Sequence, residues 1–210
     1  MGKLILLRHG ESEWNTLGKW TGLTDVGLTK KGEEEAKKAG ESLKNISLDN
    51  GFCSVLKRAK DTLSITLETA GIKDLPVEYD AALNERDYGI YTGKDKWRVK
   101  EEVGDERFLA IRRGYDTEIP EGENLKQVCE RVHPYFKSRI LPIIKSGGNV
   151  LVSAHGNSLR ALIKLVENVA DENAHTIEMK TGEIIVYEID ENGKLVSKEM
   201  LNANENAGKQ

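Results

Sequence analysis

The stretch Lys3-Leu4-Ile5-Leu6-Leu7-Arg8-His9-Gly10-Glu11-Ser12 decides the fold of this chain. It begins with an apolar run that is short enough to be a buried strand, and an arginine, a histidine and a glycine follow where that strand ends. In open α/β sheets, ligands bind at the carboxyl ends of the strands. Imidazole can act as a nucleophile, and guanidinium is suited to oriented binding of phosphate. The stretch therefore predicts phosphoryl transfer to a histidine at the edge of a sheet.

Strand and helix patterns alternate along the rest of the chain. Residues 52–54 and 149–153 are typical of buried strands, and each is followed by a helical pattern of apolar residues. Residues 183–189 and 194–200 form a predicted hairpin around Asp190-Glu191-Asn192-Gly193. This order predicts an α/β fold, a three-layer sandwich whose central sheet is mostly parallel, with one antiparallel strand and helices on both faces. Because we see no linker and no internal repeat, we expect residues 1–210 to form a single domain.

Capping residues and prolines predict where individual helices begin and break. Thr29 is the predicted N-cap of a helix that runs to about Ile46. Asn124 and Gln127 form a capping-box pattern ahead of a further helix. Pro134, and Pro142 after it, should kink that helix or divide it.

Three segments lack a regular pattern. Residues 8–28 form a long loop rich in Gly, Thr and Trp, and a loop of that length inside a compact domain is usually functional or disordered. Here Trp14, Trp20, Thr21 and Gly22 favour a packed, functional loop. Residues 85–122 are polar and charged, and we expect two short helices there and a cover over a site. Residues 202–210 are polar, and we expect a flexible tail.

Composition excludes several classes of function. The chain has 210 residues, 38% hydrophobic and 31% charged, with a formal net charge of −4. No global basic field points to nucleic acid or to a membrane as a partner. The first apolar run is too short for a signal peptide, and two cysteines far apart in sequence are typical of reduced thiols, so we expect a cytoplasmic protein. No cluster has the spacing of metal ligands.

A second histidine repeats the local pattern of the first. Ser153-Ala154-His155-Gly156-Asn157 again places a histidine and a glycine after a predicted strand. Because the carboxyl ends of parallel strands lie on one edge of a sheet, His9 and His155 could face each other across one pocket. The alternative is two unrelated loop histidines, but the presence of both together with Arg8 favours a pocket.

Other charged residues are candidates for the same site. Arg58 lies in the first turn of a predicted helix, where free N–H groups already favour anions, although a solvated arginine is the simpler reading for that residue alone. Glu85 could exchange protons with a substrate hydroxyl, or it could pair with Arg86. Arg112 and Arg113 could hold a second anionic group, or they could mark an exposed helix end.

These residues together resemble the histidine phosphatase superfamily, and within it the cofactor-dependent phosphoglycerate mutases. The resemblance covers nearly the whole chain in the order of that family. The motifs that carry it are Leu7-Arg-His-Gly-Glu-Ser-Glu-Trp-Asn15, Trp20-Thr-Gly22, Ser54-Val-Leu-Lys-Arg-Ala59, Leu83-Asn-Glu-Arg-Asp-Tyr-Gly89, Gly93, Lys96, Arg112-Arg113 and Ala154-His-Gly-Asn-Ser-Leu-Arg160. The first and last are specific to the superfamily, while Trp14-Asn15, Lys96 and the arginine pair favour mutase over phosphatase.

The resemblance implies a role for each matching residue. His9 would be the nucleophile that becomes phosphohistidine, and Glu85 would donate and accept protons. His155, with Arg8 and Arg58, would stabilise the transferring phosphoryl group. The implied substrate-binding residues are Gly10, Glu11, Ser12, Asn15, Thr21, Gly22, Arg86, Tyr88, Lys96, Arg112, Arg113, Gly156 and Asn157.

The implied reaction interconverts 3-phosphoglycerate and 2-phosphoglycerate through a phosphohistidine and 2,3-bisphosphoglycerate, which is also the priming cofactor. No metal is expected, because arginines and histidines balance the charge that Mg²⁺ balances in other phosphoryl transfers. The partner is then a small phosphorylated acid. Two alternatives stay open: a phosphatase of the same superfamily, and a non-catalytic module that binds phosphoesters.

The chain also departs from the family pattern. Asp87 stands where the family usually has histidine or another non-acidic residue, and it would weaken a positive field unless Arg86, Lys94 or Lys96 pairs with it. Residues 90–94 also differ from the usual loop. Few residues separate Arg113 from Pro120, which resembles the short form of the family and is compatible with a monomer or a homodimer.

Overall fold

The computed structural model describes residues 1–201, so the predicted tail at 202–210 lies outside the described residues. Within that part, six strands form one sheet in the order β3-β2-β4-β1-β5-β6. The strands are β1 (Gly2–Arg8), β2 (Asn50–Cys53), β3 (Val77–Tyr79), β4 (Asn149–Ala154), β5 (Ile184–Ile189) and β6 (Leu195–Leu201).

The first strand lies near the middle of this sheet. It runs parallel to β4 and antiparallel to β5, and β5 is also antiparallel to β6. One strand, β5, is therefore antiparallel to the others, as predicted. In the β1–β4 register, Arg8 stands opposite Ala154. This pairing brings the residues that follow the two strands, His9 and His155, to the same edge.

Helices cover both faces of the sheet, which confirms the three-layer sandwich. Side chains of β1 alternate between the two layers: Leu4 and Leu6 pack in one apolar cluster, and Ile5 and Leu7 pack in the other. All four are fully buried, and burial of each stabilises the fold by about 1.5–3 kcal/mol. The helices are α1 (Glu13–Thr16), α2 (Lys30–Leu43), α3 (Lys57–Ala70), α4 (Lys96–Val103), α5 (Asp105–Arg113), α6 (Leu125–Tyr135), α7 (Leu141–Lys145) and α8 (Gly156–Val166).

The predicted caps and breaks are confirmed. The hydroxyl of Thr29 accepts the N–H of Gly32 at the start of α2. The Asn124 capping box opens α6, which leads through a π-helical segment, Phe136–Ile140, into α7. The π turn follows Pro134, because a proline inside a helix removes one backbone donor and disturbs the ladder around it.

The polar segment 85–122 contains the two predicted short helices, α4 and α5. It has its own apolar cluster, which includes Phe108 and Ile111, and this cluster takes in Trp20 from the loop at 8–28. The loop is therefore packed, as predicted, but it also contains the short helix α1, which the sequence pattern did not predict.

Candidate active site

His9 and His155 follow the adjacent parallel strands β1 and β4, and their rings lie side by side. The ring centroids are 5.0 Å apart, and both residues are buried. A backbone hydrogen bond from the His9 N–H to the Ala154 carbonyl ties the two loops together at 3.0 Å. The structure therefore places the two histidines side by side, as the sequence predicted.

The hydrogen bonds of His9 identify its reactive nitrogen. Its Nδ1 lies 2.7 Å from the carbonyl oxygen of Gly10, which can only accept, so Nδ1 carries the proton and Nε2 keeps its lone pair. Burial, and then the charges of Arg58 and Arg8, hold the pKa of His9 well below its usual range. His9 is therefore neutral at neutral pH and has a free nucleophilic nitrogen.

Two buried guanidinium groups are held beside the histidines by backbone carbonyls. Arg8 Nη1 donates to the Met179 carbonyl at 2.5 Å. Arg58 donates from Nη1 to Thr24 and from Nη2 to Gly22, both at 2.9 Å. Because carbonyls orient these groups without neutralising them, both positive charges stay available to an anion.

Glu85 is a buried carboxylate whose two oxygens differ. Oε1 accepts three hydrogen bonds, from Arg86 N at 2.8 Å, Asn157 N at 3.1 Å and Asn157 Nδ2 at 3.0 Å. Oε2 has no hydrogen-bond partner within residues 1–201. Burial alone would raise the pKa of Glu85, but the Arg86 N–H, the charge of Arg58, the Asn157 amide and the charge of Arg8 outweigh it and lower the pKa. Glu85 is therefore ionised, with Oε2 free to take a proton.

Asn157 is fixed by groups on both sides of its amide. Its Nδ2 also donates to Tyr88 Oη at 3.0 Å, and its Oδ1 accepts from Arg160 Nη1 at 3.0 Å. Arg160 in turn donates to the carbonyls of Arg113 and Ala174. This network locks the side chain that binds Glu85.

A cavity opens beside His9 and is strongly positive. Six cationic and two carboxylate side chains from the described part of the chain line it. The lining residues are Arg8, His9, Asn15, Trp20, Thr21, Arg58, Glu85, Tyr88, Lys96, Arg112, Arg113, Gly156, Asn157, Arg160, Glu178 and Met179. A small ligand with several negative charges fits this lining, within a chain that is negative overall.

Lys96 lines this cavity beside the ring of Trp20. Its Nζ sits 5.8 Å from the ring centroid of Trp20. Burial, followed by the charges of Arg112 and Arg8, lowers the pKa of Lys96 to about 8. The largest charge effects on Lys96 come from other cations, Arg112 and Arg8, so a bound anion would stabilise its ammonium form.

Asn15 presents a donor to the cavity. Its Oδ1 accepts both the N–H and the hydroxyl of Ser12, at 3.1 and 2.8 Å. With the amide oxygen engaged, the Nδ2 hydrogens are left for a ligand.

Six of the predicted site residues do not line the cavity: Gly10, Glu11, Ser12, Gly22, Arg86 and His155. Glu11 pairs with Lys31 at 2.9 Å on the outer side of the loop. Gly10 lies so close to α2 that a Cβ there would be 2.2 Å from the Gly32 carbonyl oxygen. Ser12 donates two hydrogen bonds to Asn15, and the Gly22 carbonyl accepts one from Arg58. These residues therefore position side chains that line the cavity without lining it themselves.

Arg86 is fully buried and lies behind Tyr88. Its guanidinium carbon is 4.5 Å from the Tyr88 ring centroid, and Nη2 donates to the Ile111 carbonyl at 2.9 Å. Its contact with Glu85 is through the backbone N–H, so the alternative of an ion pair is not found. Asp87 also points away from the cavity, because its Oδ1 accepts the Gly89 N–H at 2.9 Å.

Sequence reasoning missed the roles of Arg160, Glu178 and Met179. Arg160 stands three residues after Asn157 on α8, and this spacing on one helix face was the signal that could have found it. Glu178 and Met179 lie in an irregular segment without periodicity, so no local pattern marks them.

Within residues 1–201, no group of three or more His, Cys, Asp or Glu side chains is placed to hold a metal ion. None of the helices in that range is long and apolar enough to cross a membrane.

Comparisons with known proteins agree with the geometry. The model of the histidine phosphatase superfamily (branch 1) matches residues 4–201. A 2,3-bisphosphoglycerate-dependent phosphoglycerate mutase from Bifidobacterium longum is 44% identical over 216 residues, with 91% of this chain and 88% of that protein covered. A protein of the same name from Parvibaculum lavamentivorans is 44% identical over 200 residues, with 94% and 95% covered. Among solved structures, the α-ribazole phosphatase of Shigella flexneri is similar with a TM-score of 0.76, 26% identity, and 89% and 90% coverage.

Proposed function

The chain belongs to the histidine phosphatase superfamily, and we propose that within it this protein is a 2,3-bisphosphoglycerate-dependent phosphoglycerate mutase. It interconverts 3-phosphoglycerate and 2-phosphoglycerate. The observation that carries the proposal is the cavity beside the free Nε2 of His9, lined by six cationic side chains. The relatives with the mutase name are 44% identical to this chain, whereas the phosphatase structure is 26% identical, and this difference favours mutase over phosphatase.

His9 is the proposed nucleophile. Its Nε2 attacks phosphorus, and the two guanidiniums of Arg8 and Arg58 lie beside it to stabilise the negative charge on the phosphoryl oxygens. Both groups are oriented by carbonyls before any ligand arrives, so little reorganisation is needed in the transition state. His155, beside the His9 ring, supports the same phosphoryl group.

Glu85 is the proposed proton carrier. Because it is ionised in the free site, Oε2 accepts the proton of a substrate hydroxyl as that hydroxyl attacks the phosphohistidine. In the reverse direction the carboxylic acid returns the proton to the leaving oxygen. Oε1 stays bound to Arg86 and Asn157 throughout and holds the carboxyl group in place.

Substrate binding is proposed for the residues that line the cavity. Lys96, Arg112 and Arg113 supply cations for the carboxylate and the second phosphate, and Asn15 supplies an amide donor. Tyr88, Thr21, Gly156 and Asn157 complete the lining. Gly10, Glu11, Ser12, Gly22 and Arg86 are proposed to hold these residues in position.

The site fits 2,3-bisphosphoglycerate, since one carboxylate and two phosphates meet six cationic side chains. When bound, this cofactor supplies the phosphoryl group that His9 first accepts. We propose that the arginines and Lys96 provide the charge balance that a divalent metal provides in other phosphoryl transfers.

We propose a single domain in which residues 85–122 keep water from the phosphohistidine. We also propose that the protein is cytoplasmic and that it is a monomer or a homodimer.

The test is a coupled assay for 2-phosphoglycerate formation from 3-phosphoglycerate, with and without added 2,3-bisphosphoglycerate, while inorganic phosphate is measured in parallel. We expect isomerisation that rises with the cofactor and exceeds phosphate release. Rapid phosphate release without isomerisation would establish the phosphatase alternative. Binding without either product would establish the non-catalytic alternative.

A further inference from the structure

Three side chains form a hydrogen-bonded chain that ends at His155. The Ser54 Oγ lies 2.8 Å from the Asn84 Oδ1, and the His155 Nε2 lies 2.7 Å from the Ser54 Oγ. Ser54 and His155 are fully buried, and Asn84 is half-buried behind them. None of these three side chains lines the cavity, and His155 connects the other two to the site through its ring contact with His9.

The direction of each hydrogen bond follows from Asn84. The N–H of Val55 also lies 3.2 Å from the Asn84 Oδ1, which fixes that atom as the amide oxygen. A carbonyl oxygen accepts and cannot donate, so the hydroxyl proton of Ser54 points to Asn84. The Ser54 oxygen is left as an acceptor for the Leu56 N–H at 3.1 Å and for the Nε2 of His155.

We propose that Asn84 and Ser54 are positioning residues that hold His155 in its Nε2–H tautomer and leave a lone pair on Nδ1. The Nδ1 is buried, and the capping box at the start of α8 directs the Ser158 backbone N–H toward the His155 side chain, which again requires a lone pair at Nδ1. The ring of His9, where the phosphoryl group is carried, lies beside it.

The surroundings of His155 make the tautomer important. Burial, and then the charges of Arg58, Arg8 and Arg131 together with the neighbouring His9, hold the pKa of His155 well below its usual range. A neutral imidazole has one N–H, so the tautomer decides whether a phosphoryl group meets a donor or an acceptor at Nδ1.

An acceptor at Nδ1 suits a phosphoryl group that arrives with a proton. Nδ1 offers an acceptor to the hydrogen of a P–OH group, and the proton stays on the phosphoryl oxygen, because burial and the neighbouring cations hold the pKa of His155 well below its usual range. This catalytic consequence rests on the proposed phosphoryl transfer, whereas the tautomer does not.

The first test is ¹⁵N NMR of the imidazole nitrogens in the unaltered full chain. The resonances of the four histidines are assigned with single histidine-to-glutamine variants. We expect a protonated Nε2 and an unprotonated Nδ1 for His155 at neutral pH. The opposite tautomer would overturn the proposal, and this measurement needs no Asn84 or Ser54 variant to fold.

The second test removes the Asn84 amide oxygen, which accepts the hydrogen bond of the Ser54 hydroxyl. In Asn84→Leu the Ser54 hydroxyl is free to donate to Nε2, so we expect His155 to shift toward its Nδ1–H tautomer. The rate of phosphohistidine formation from 2,3-bisphosphoglycerate should fall roughly tenfold to a hundredfold, as when orienting partners of other functional histidines are lost. Asn84→Asp keeps an acceptor and should keep the original tautomer.

Ser153→Ala is the matched control. In the unaltered protein the buried Ser153 hydroxyl donates to the Ala59 carbonyl at 3.0 Å, so it takes no part in the hydrogen bonds that link Asn84, Ser54 and His155. We expect this variant to keep the tautomer of the unaltered protein. A folded Asn84→Leu variant with an unchanged tautomer, or an equal shift in Ser153→Ala, would refute the assignment. The expected tautomer in a protein that forms no phosphohistidine would refute the proposed function and leave the assignment of the hydrogen bonds intact.

Discussion

The guanidinium of Arg113 and the carboxylate of Glu178 form an ion pair in the wall of the active site, with Nη2 and Oε1 2.5 Å apart. The Glu178 side chain is 60% exposed, so the pair is a weak one. An anionic side chain beside the proposed substrate cations competes with an anionic substrate for Arg113. We therefore expect the pair to keep Arg113 in place in the free enzyme and to be exchanged for a substrate oxygen on binding.

Glu178→Gln should lower the KM for 3-phosphoglycerate and leave kcat nearly unchanged. An exposed ion pair is worth about 0.2–1 kcal/mol, which corresponds to a decrease in KM of roughly 1.5- to 5-fold. Steady-state kinetics at low ionic strength measure the effect. Glu172→Gln, in the same segment but outside the cavity lining, is the control. A KM that rises in Glu178→Gln would show that Glu178 helps to bind substrate.

His9→Ala should abolish isomerisation while the protein stays folded, because the nucleophilic nitrogen is lost. We expect the rate to fall by at least about 10³-fold, as with other covalent nucleophiles. Incubation with labelled 2,3-bisphosphoglycerate should leave acid-labile label on the unaltered protein and none on the variant. His175→Ala, at an exposed position, should label normally. Appreciable mutase activity in His9→Ala would remove His9 from the role of nucleophile.

The mutase rate should fall on the alkaline side because of Lys96. Its pKa of about 8 means that the ammonium loses its proton, and its charge, as the pH rises through that value. We expect kcat/KM, which reports the free enzyme, to fall above about pH 8. In Lys96→Arg the charge persists, so the fall should move to higher pH, although the maximum is lower. Lys94→Arg, which changes an exposed lysine outside the cavity lining, should keep the original profile.

The stability of the fold should decrease below about pH 6.5 because of the two buried histidines. Both have pKa values well below the usual range, so the unfolded chain takes up protons before the folded chain does. Their effect is absent at higher pH, and it lowers the free energy of unfolding by up to about 1.4 kcal/mol per pH unit for each histidine. Urea unfolding between pH 7.5 and 5 measures the slope. His155→Gln should make it shallower, and exposed His175→Gln should not.

Gly32→Ala should disrupt the loop that carries His9. A Cβ at Gly32 would lie 2.1 Å from the Glu11 carbonyl oxygen, so α2 and the loop would have to move apart. In a free helix the same change would stabilise by about 1 kcal/mol, but this backbone clash should destabilise by about 1–3 kcal/mol. Urea midpoints and mutase rates test this together. Gly27→Ala, where the nearest atom is a flexible glutamate oxygen at 3.6 Å, should be tolerated.

The fold was predictable because its elements have strong local signals. The apolar run before Arg8, the cap at Thr29 and the capping box at Asn124 each reflect short-range chemistry, and the structure confirms all three. Alternation with helices predicts the mostly parallel sheet, whereas the order of its strands is known only from the structure. The short helix Glu13–Thr16 was not predictable, since four residues are too few to show a period.

The site was predictable where chemistry and strand ends coincide, at His9 and His155. It was not predictable where a backbone carbonyl orients a site residue, as Met179 orients Arg8, or where an ion pair joins residues far apart in sequence, as Glu178 and Arg113 do. Arg86 shows the opposite limit. It stands next to Glu85 in sequence, yet its side chain turns into the protein, because the direction of a loop side chain depends on packing that no local pattern encodes.

Because Arg8 pairs with Ala154, the active site can form only after most of the chain has been synthesised. The two histidines meet only when the first strand closes against a strand that begins at Asn149, so a nascent chain that stops short of that strand lacks half of its reaction centre. Contacts of such long sequence separation form late and with the rest of the sheet. We therefore expect no partially active fragment: proteolysis or premature termination before residue 155 should leave a protein that cannot capture a phosphoryl group at all.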